Sequence, residues 1–137
     1  MKRGGASPAL PAITGNAGGV SYSVGPCEAV AFHRVLGGDE TWAVVAGGPL
    51  ELHLIHADGR YELRVLSPDP DSGSASTTTI EAGSLRAARL ARGGRRALFR
   101  RAAAPGHRSG VWDVPDPAEI LRRHPLHRAI ILDLTPG

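Results

Sequence analysis

His33, Glu40 and Arg86 are the side chains in this sequence best suited to carry a reaction. An imidazole and a carboxylate together make a proton-transfer pair. In a pocket of low dielectric both can be moved toward neutrality, where a group gives and takes protons with equal ease. His33 and Glu40 stand seven positions apart, and Gly47 follows seven further on, in Phe32-His33-Arg34-Val35-Leu36-Gly37-Gly38-Asp39-Glu40-Thr41-Trp42 and the residues after it. Arg86 offers a planar guanidinium that can grip a carboxylate, phosphate or enolate through two N–H groups. It does so only if its strand register points it inward; pointing outward, it joins Arg89 in the surface charge. Cys27 is the only cysteine. That excludes an intrachain disulfide and a cysteine-based zinc site, and no basic sequence neighbour marks Cys27 as a nucleophile.

Composition excludes other functions. The length of 137 residues suits one domain with one core. No apolar run is long enough to span a membrane, and no apolar stretch follows Lys2 and Arg3 to make a secretory signal. A soluble cytoplasmic protein is the expectation. The net charge is +3, nearly all of the positive charge being arginine. Arg86, Arg89, Arg92, Arg95, Arg96, Arg100 and Arg101 are dense in sequence, but they fall on two expected strands and the turn between them. Phe99 is the one aromatic interleaved, so a solvated strand face is expected here, not a nucleic-acid surface.

The elements that must position these side chains are short strands. Residues 1–19 are rich in Gly, Ala and Pro without apolar period, and predict a flexible, loosely attached arm. A single domain is expected over 20–137. Val20 to Val24 alternates; Glu28 to Val35, Trp42 to Ala46 and Leu50 to Leu54 follow, divided by Gly37-Gly38-Asp39 and Gly47-Gly48-Pro49. Ala57-Asp58-Gly59-Arg60 predicts a hairpin, since Asp-Gly favours the turns that match strand twist. Further strands are expected at Thr77–Ile80, Leu85–Leu90 and Arg96–Ala103, around a polar loop from Ser67 to Ser76. Small residues Ala29, Ala31, Ala43 and Ala46 suggest an open apolar interior. At the end the period changes: Asp116 caps a helix that begins at Pro117, and Pro125 divides the helical segment in two.

These motifs together resemble the cupin-5 family, the cupins of domain of unknown function 985. The resemblance is carried by His33-Arg34-Val35 with Asp39-Glu40-x-Trp42, and by Gly48-Pro49-Leu50-Glu51-Leu52-His53-Leu54 with Asp58-Gly59. Ala82-Gly83-Ser84-Leu85-Arg86-Ala87-Ala88-Arg89, Ala104-Pro105-Gly106, Asp116-Pro117-Ala118-Glu119-Ile120-Leu121 and His124-Pro125-x-His127 extend it. It implies an all-β fold, a double-stranded β-helix or cupin jelly roll, closed by two short C-terminal helices. In metal-binding relatives, histidines stand where this chain has Val35 and Arg86. The resemblance therefore implies a barrel with a damaged metal site, so no metal and no other cofactor is expected.

In that register His33 and Glu40 should meet at the barrel mouth with Arg86 pointing inward. The catalytic expectation is His33 as the proton shuttle, Glu40 tuning it and Arg86 steadying an oxyanion. Ala31, Val35, Trp42, Val44, His107 and Trp112 are the candidate substrate contacts, Trp42, like Phe32, being better suited to the core. His53 is expected on the strand face away from the core, and His56, His124 and His127 at the surface or at helix ends. The implied function is a small-molecule-binding cupin, a metal-independent isomerase, epimerase, cyclase or dehydratase. The alternatives are a non-catalytic binding or sensing module using the same pocket, and a metal-dependent oxygenase. The expected partners are a small-molecule substrate and a second copy of the chain, with no nucleic acid and no membrane.

Overall fold

The computed structural model describes residues 7–8, 10–14, 19–104 and 111–135. Eleven strands, β1 (Ser7–Pro8), β2 (Leu10–Thr14), β3 (Val20–Val24), β4 (Glu28–Leu36), β5 (Glu40–Gly47), β6 (Leu50–Ile55), β7 (Tyr61–Leu66), β8 (Thr77–Ile80), β9 (Leu85–Leu90), β10 (Ala97–Ala103) and β11 (Val111–Asp113), form two sheets among the described residues. One runs β1-β4-β9-β6-β7, with β11 also on β4; the other runs β2-β3-β10-β5-β8. All pairings are antiparallel except the short β1–β4 contact. This is the jelly roll the sequence predicts. Within the expected arm, Leu10–Thr14 pairs with β3 and extends the second sheet.

Alternation decides what each strand buries. Leu50, Leu52 and Leu54 of β6 face the space between the sheets with Tyr22, Trp42, Val44 and Phe99. Full burial of each leucine contributes about 1.5–3 kcal/mol. The opposite face of the first sheet is also covered. Helices α1 (Pro117–Arg123) and α2 (Arg128–Leu134) lay Ile120, Ile131 and Leu134 on Ala29, Phe32, Ile55, Leu85 and Ala87. Asp116 caps α1 as predicted, its carboxylate accepting from Ala118 N–H, and a single 3₁₀ turn at Pro125–His127 separates the helices.

One expectation for these histidines holds and one is corrected. His53 lies on the face away from the barrel core, as expected, and is buried there. Its Nε2–H donates to Glu51 at 2.9 Å, and its Nδ1 accepts from the Tyr61 hydroxyl at 2.6 Å. His56 is buried rather than superficial, held between Ser84 and Glu62. A further correction concerns the alanines. Ala43 is half-buried on the outward side of β5, because Glu40, Trp42 and Val44 take the inward positions; Ala46 shares their parity but is exposed at the end of the strand, where the register with β10 shifts. Ala29 packs under the helices. Gly47 has a firm requirement: its φ is +70°, and a Cβ there would lie 2.0 Å from the Arg96 carbonyl oxygen. The strand can turn toward Pro49 at that point only with glycine.

Candidate functional site

Four strands deliver one buried polar cluster. His33 comes from β4, Glu40 from β5, Arg86 from β9 and Arg101 from β10. His33 and Arg86 are cross-strand partners, as are Trp42 and Arg101. Side chains directly opposite on one face come within contact, which is why these meet. His33 is 3% exposed, Arg101 2% and Arg86 0%.

Glu40 is the hub. Its Oε1 accepts from Trp42 Nε1–H at 2.7 Å, Arg101 Nη2–H at 2.9 Å and Arg86 Nη1–H at 3.0 Å, and its Oε2 accepts from Arg101 Nε–H at 3.2 Å. Burial pushes its pKa up, but the Arg101 charge and hydrogen bonds, the indole N–H and Arg86 outweigh that and hold it below the usual carboxylate range. Glu40 is ionised. Arg86 is committed elsewhere on its other side. It donates to the carbonyls of Glu81 and Ser84, tying the turn before β9 to the barrel interior.

His33 has one tautomer. Its Nδ1 lies 2.8 Å from the Ala31 carbonyl, which can only accept, so Nδ1 carries the proton. Nε2 is then the lone-pair nitrogen, and it accepts from Arg101 Nη2–H at 2.6 Å. Burial and the adjacent Arg101 charge lower its pKa to about 4. The imidazole is neutral.

Arg101 is the residue that sequence reasoning missed. Its guanidinium lies 4.4 Å from the Trp42 ring centroid and 4.0 Å from that of Trp112, between the two indoles. Trp112 also stacks on His33 at 5.0 Å, and at 46% exposure it forms the outer wall of the cluster. It is placed there by β11, where it pairs with Val35. The density of arginines around it suggests a solvated face, whereas Ala97, Phe99 and Arg101 share the inward parity of β10. That period was the available signal. One atom of Arg101, Nη1, is buried without any hydrogen-bond partner.

The other expected contacts divide. Trp42 and Val44 belong to the apolar core, Trp42 also donating to Glu40. Val35 is buried and Ala31 half-buried. Ala31 touches the cluster through its carbonyl. His107 lies outside the described residues.

The donor set does not fit a transition metal. His33 and Glu40 are two ligands where three or more are needed, Val35 and Arg86 supply none, and guanidiniums occupy the lone pairs of both. Among the described residues no group of three or more His, Cys, Asp or Glu side chains could hold a metal ion. Positive charge facing Glu40 is supplied here by arginine.

Among the described residues no helix is long and apolar enough to cross a membrane. Among the curated proteins, no sequence matches this chain. Similar solved structures include a hypothetical protein from Leishmania major, with 20% identity and a TM-score of 0.74, the match covering 96% of this chain and 85% of that one. A protein from Shewanella oneidensis matches with 17% identity and a TM-score of 0.75, over 94% and 87%. A dTDP sugar isomerase from Desulfovibrio desulfuricans G20 matches with 18% identity and a TM-score of 0.59, over 80% and 71%. At these identities the likeness shows the fold. The family model described as Cupin superfamily (DUF985), Cupin_5, matches residues 17–113, so the chain belongs to that family of cupins.

Proposed function

We propose that this cupin is a metal-independent acid–base enzyme, of the isomerase, epimerase, cyclase or dehydratase type, acting on a small metabolite at the mouth of its barrel. The observation that carries the reading is His33: a buried, neutral imidazole of fixed tautomer whose Nε2 lone pair meets Arg101 at 2.6 Å. His33 is the base and Nε2 the atom that takes the proton. Arg101 covers that lone pair in the resting site. A substrate oxygen that draws the guanidinium to itself uncovers it. As negative charge grows on that oxygen it offsets the Arg101 charge, which is one of the two main causes of the low His33 pKa. The imidazole therefore becomes a stronger base as the transition state forms. Arg101 also steadies the developing oxyanion. The sequence suggested Arg86 for that task, but Arg86 is committed to Glu40 and two carbonyls. Glu40 holds both guanidiniums in position.

The test is deuterium wash-in. Candidate sugars, 2-oxo acids and hydroxy acids are incubated with enzyme in heavy water, and exchange at carbon acids is followed by NMR. Exchange by the native chain, lowered about 10²–10⁴-fold in His33→Gln, is expected for a general base. Exchange that persists in the variant refutes the assignment.

A second reading has one observation in its favour. An imidazole with its lone pair already occupied is a weak base at rest, which suits a non-catalytic module that binds or senses a small molecule in the same site. Ligand binding without exchange on any candidate would select it.

A further inference from the structure

Among the side chains of the cluster, two guanidiniums face a single carboxylate, while His33 is neutral. Glu40 is the carboxylate paired with Arg101, and it is shared with Arg86, on which the Asp39 charge also acts. Asp39 accepts from the Ala82 N–H, and Arg34 is paired with Asp113. A buried charge that shares its one partner is costly, and a buried N–H without an acceptor adds to that cost. Both fall on the same group. Arg101 spends Nε and Nη2 on Glu40 and His33, and its Nη1 has no partner. The indoles of Trp42 and Trp112 both pack on the guanidinium. With Nε and Nη2 engaged, the Nη1 edge is the one left for a ligand atom.

We infer that the barrel anchors its ligand through one carboxylate, seated edge-on against Arg101 Nη1 in the slot covered by Trp112. This deepens the proposed function by naming a substrate class, and it rests on the reading of the barrel as a small-molecule site. The charge balance selects the anion. One carboxylate gives Arg101 a partner it does not share, whereas a phosphate dianion would bring a second charge into a buried site. The geometry agrees: the planar edge of the guanidinium pairs with a flat carboxylate. Trp112 sets the access. It sits on a three-residue strand, is half-exposed, and is the outer of the two walls, so ligand enters where the indole lifts from Arg101.

The experiment is a titration of the full chain, labelled with nitrogen-15, with sodium acetate at constant ionic strength, and in parallel with inorganic phosphate at slightly alkaline pH. Saturable shifts of the Trp112 indole N–H and the Arg101 Nε–H with acetate are expected, with nuclear Overhauser contact between the acetate methyl and the Trp112 ring. Phosphate should bind at least about tenfold more weakly, because it brings a second charge into a buried site. Arg101→Lys keeps a positive charge but loses the planar edge, and acetate affinity should fall about tenfold or more. Arg101→Met should abolish saturation. If neither variant folds, the native protein decides alone. Absence of saturable acetate shifts, or phosphate binding as tightly as acetate, overturns the inference. The two proposals fail separately. Acetate binding without deuterium exchange on any candidate keeps the anchor and removes the catalytic reading; exchange without acetate binding does the reverse.

Discussion

His33 makes stability fall on acidification by an amount that can be worked out. Its pKa is 6.5 in an unfolded chain and about 4 in the folded one. The folded state thus resists taking the proton that the unfolded chain accepts. Above the unfolded value both states are neutral and nothing is lost. As the pH falls below it, the unfolded chain gains protons first and stability drops, until the folded value is also passed. From the two pKa values the cost of His33 is about 2 kcal/mol at pH 5 and about 3 kcal/mol at pH 4. The control is His33→Gln. Its side-chain oxygen can still accept from Arg101, but it does not titrate. Urea unfolding of both proteins from pH 7.5 to 4 gives the difference in stability as a function of pH. The subtraction removes groups common to both, among them His53 and Glu62, whose folded pKa values are also lowered. The native protein should lose about 3 kcal/mol more than the variant by pH 4, most of it below pH 6. Parallel curves would refute the burial of a neutral imidazole against Arg101.

Glu40→Gln removes the one carboxylate facing two buried guanidiniums. It should destabilise by about 3–5 kcal/mol in urea unfolding, and a loss below about 1 kcal/mol would show that the cluster is not electrostatically tight. Protein purified without chelator should carry no stoichiometric iron, manganese, nickel or zinc by elemental analysis, because the donor set offers two engaged ligands; one metal per chain would contradict this. We also propose a homodimer. Strand β7 ends the first sheet and leaves Leu63 and Val65 exposed, and an uncovered edge favours pairing with a second copy. Light scattering should give twice the chain mass, and a monomer mass at micromolar concentration would count against it.

The strand pattern was legible because turns here are written in Gly, Pro and Asp-Gly, and because Leu50, Leu52 and Leu54 alternate cleanly. The helix start was legible at Asp116-Pro117 for the same reason: cap chemistry is local. What was not legible depends on which layer covers a strand. His53 obeyed its parity, but nothing in the strand itself says that Ile131 and Leu134 will close over that face. Strand β2 was not legible because Leu10-Pro11-Ala12-Ile13-Thr14 lacks a clear period, and pairing with β3 is not a local property. His33, Glu40 and Arg86 were found through motif spacing. Arg101 was hidden by its company. Five other arginines lie between Arg86 and Arg101, and only the parity with Ala97 and Phe99 separates it from the solvated ones. Trp112 needed the tertiary fold, since it reaches His33 from a strand 79 positions after it in sequence.

Nitrogen-15 NMR of the His33 ring tests whether the barrel holds a neutral imidazole under guanidinium control. At pH 6, Nδ1 should be protonated and Nε2 should resonate as an unprotonated, hydrogen-bonded nitrogen, with neither shifted by EDTA or by added zinc. An imidazolium at that pH, or an Nε2 resonance that moves on metal addition as a coordinated nitrogen does, would contradict it.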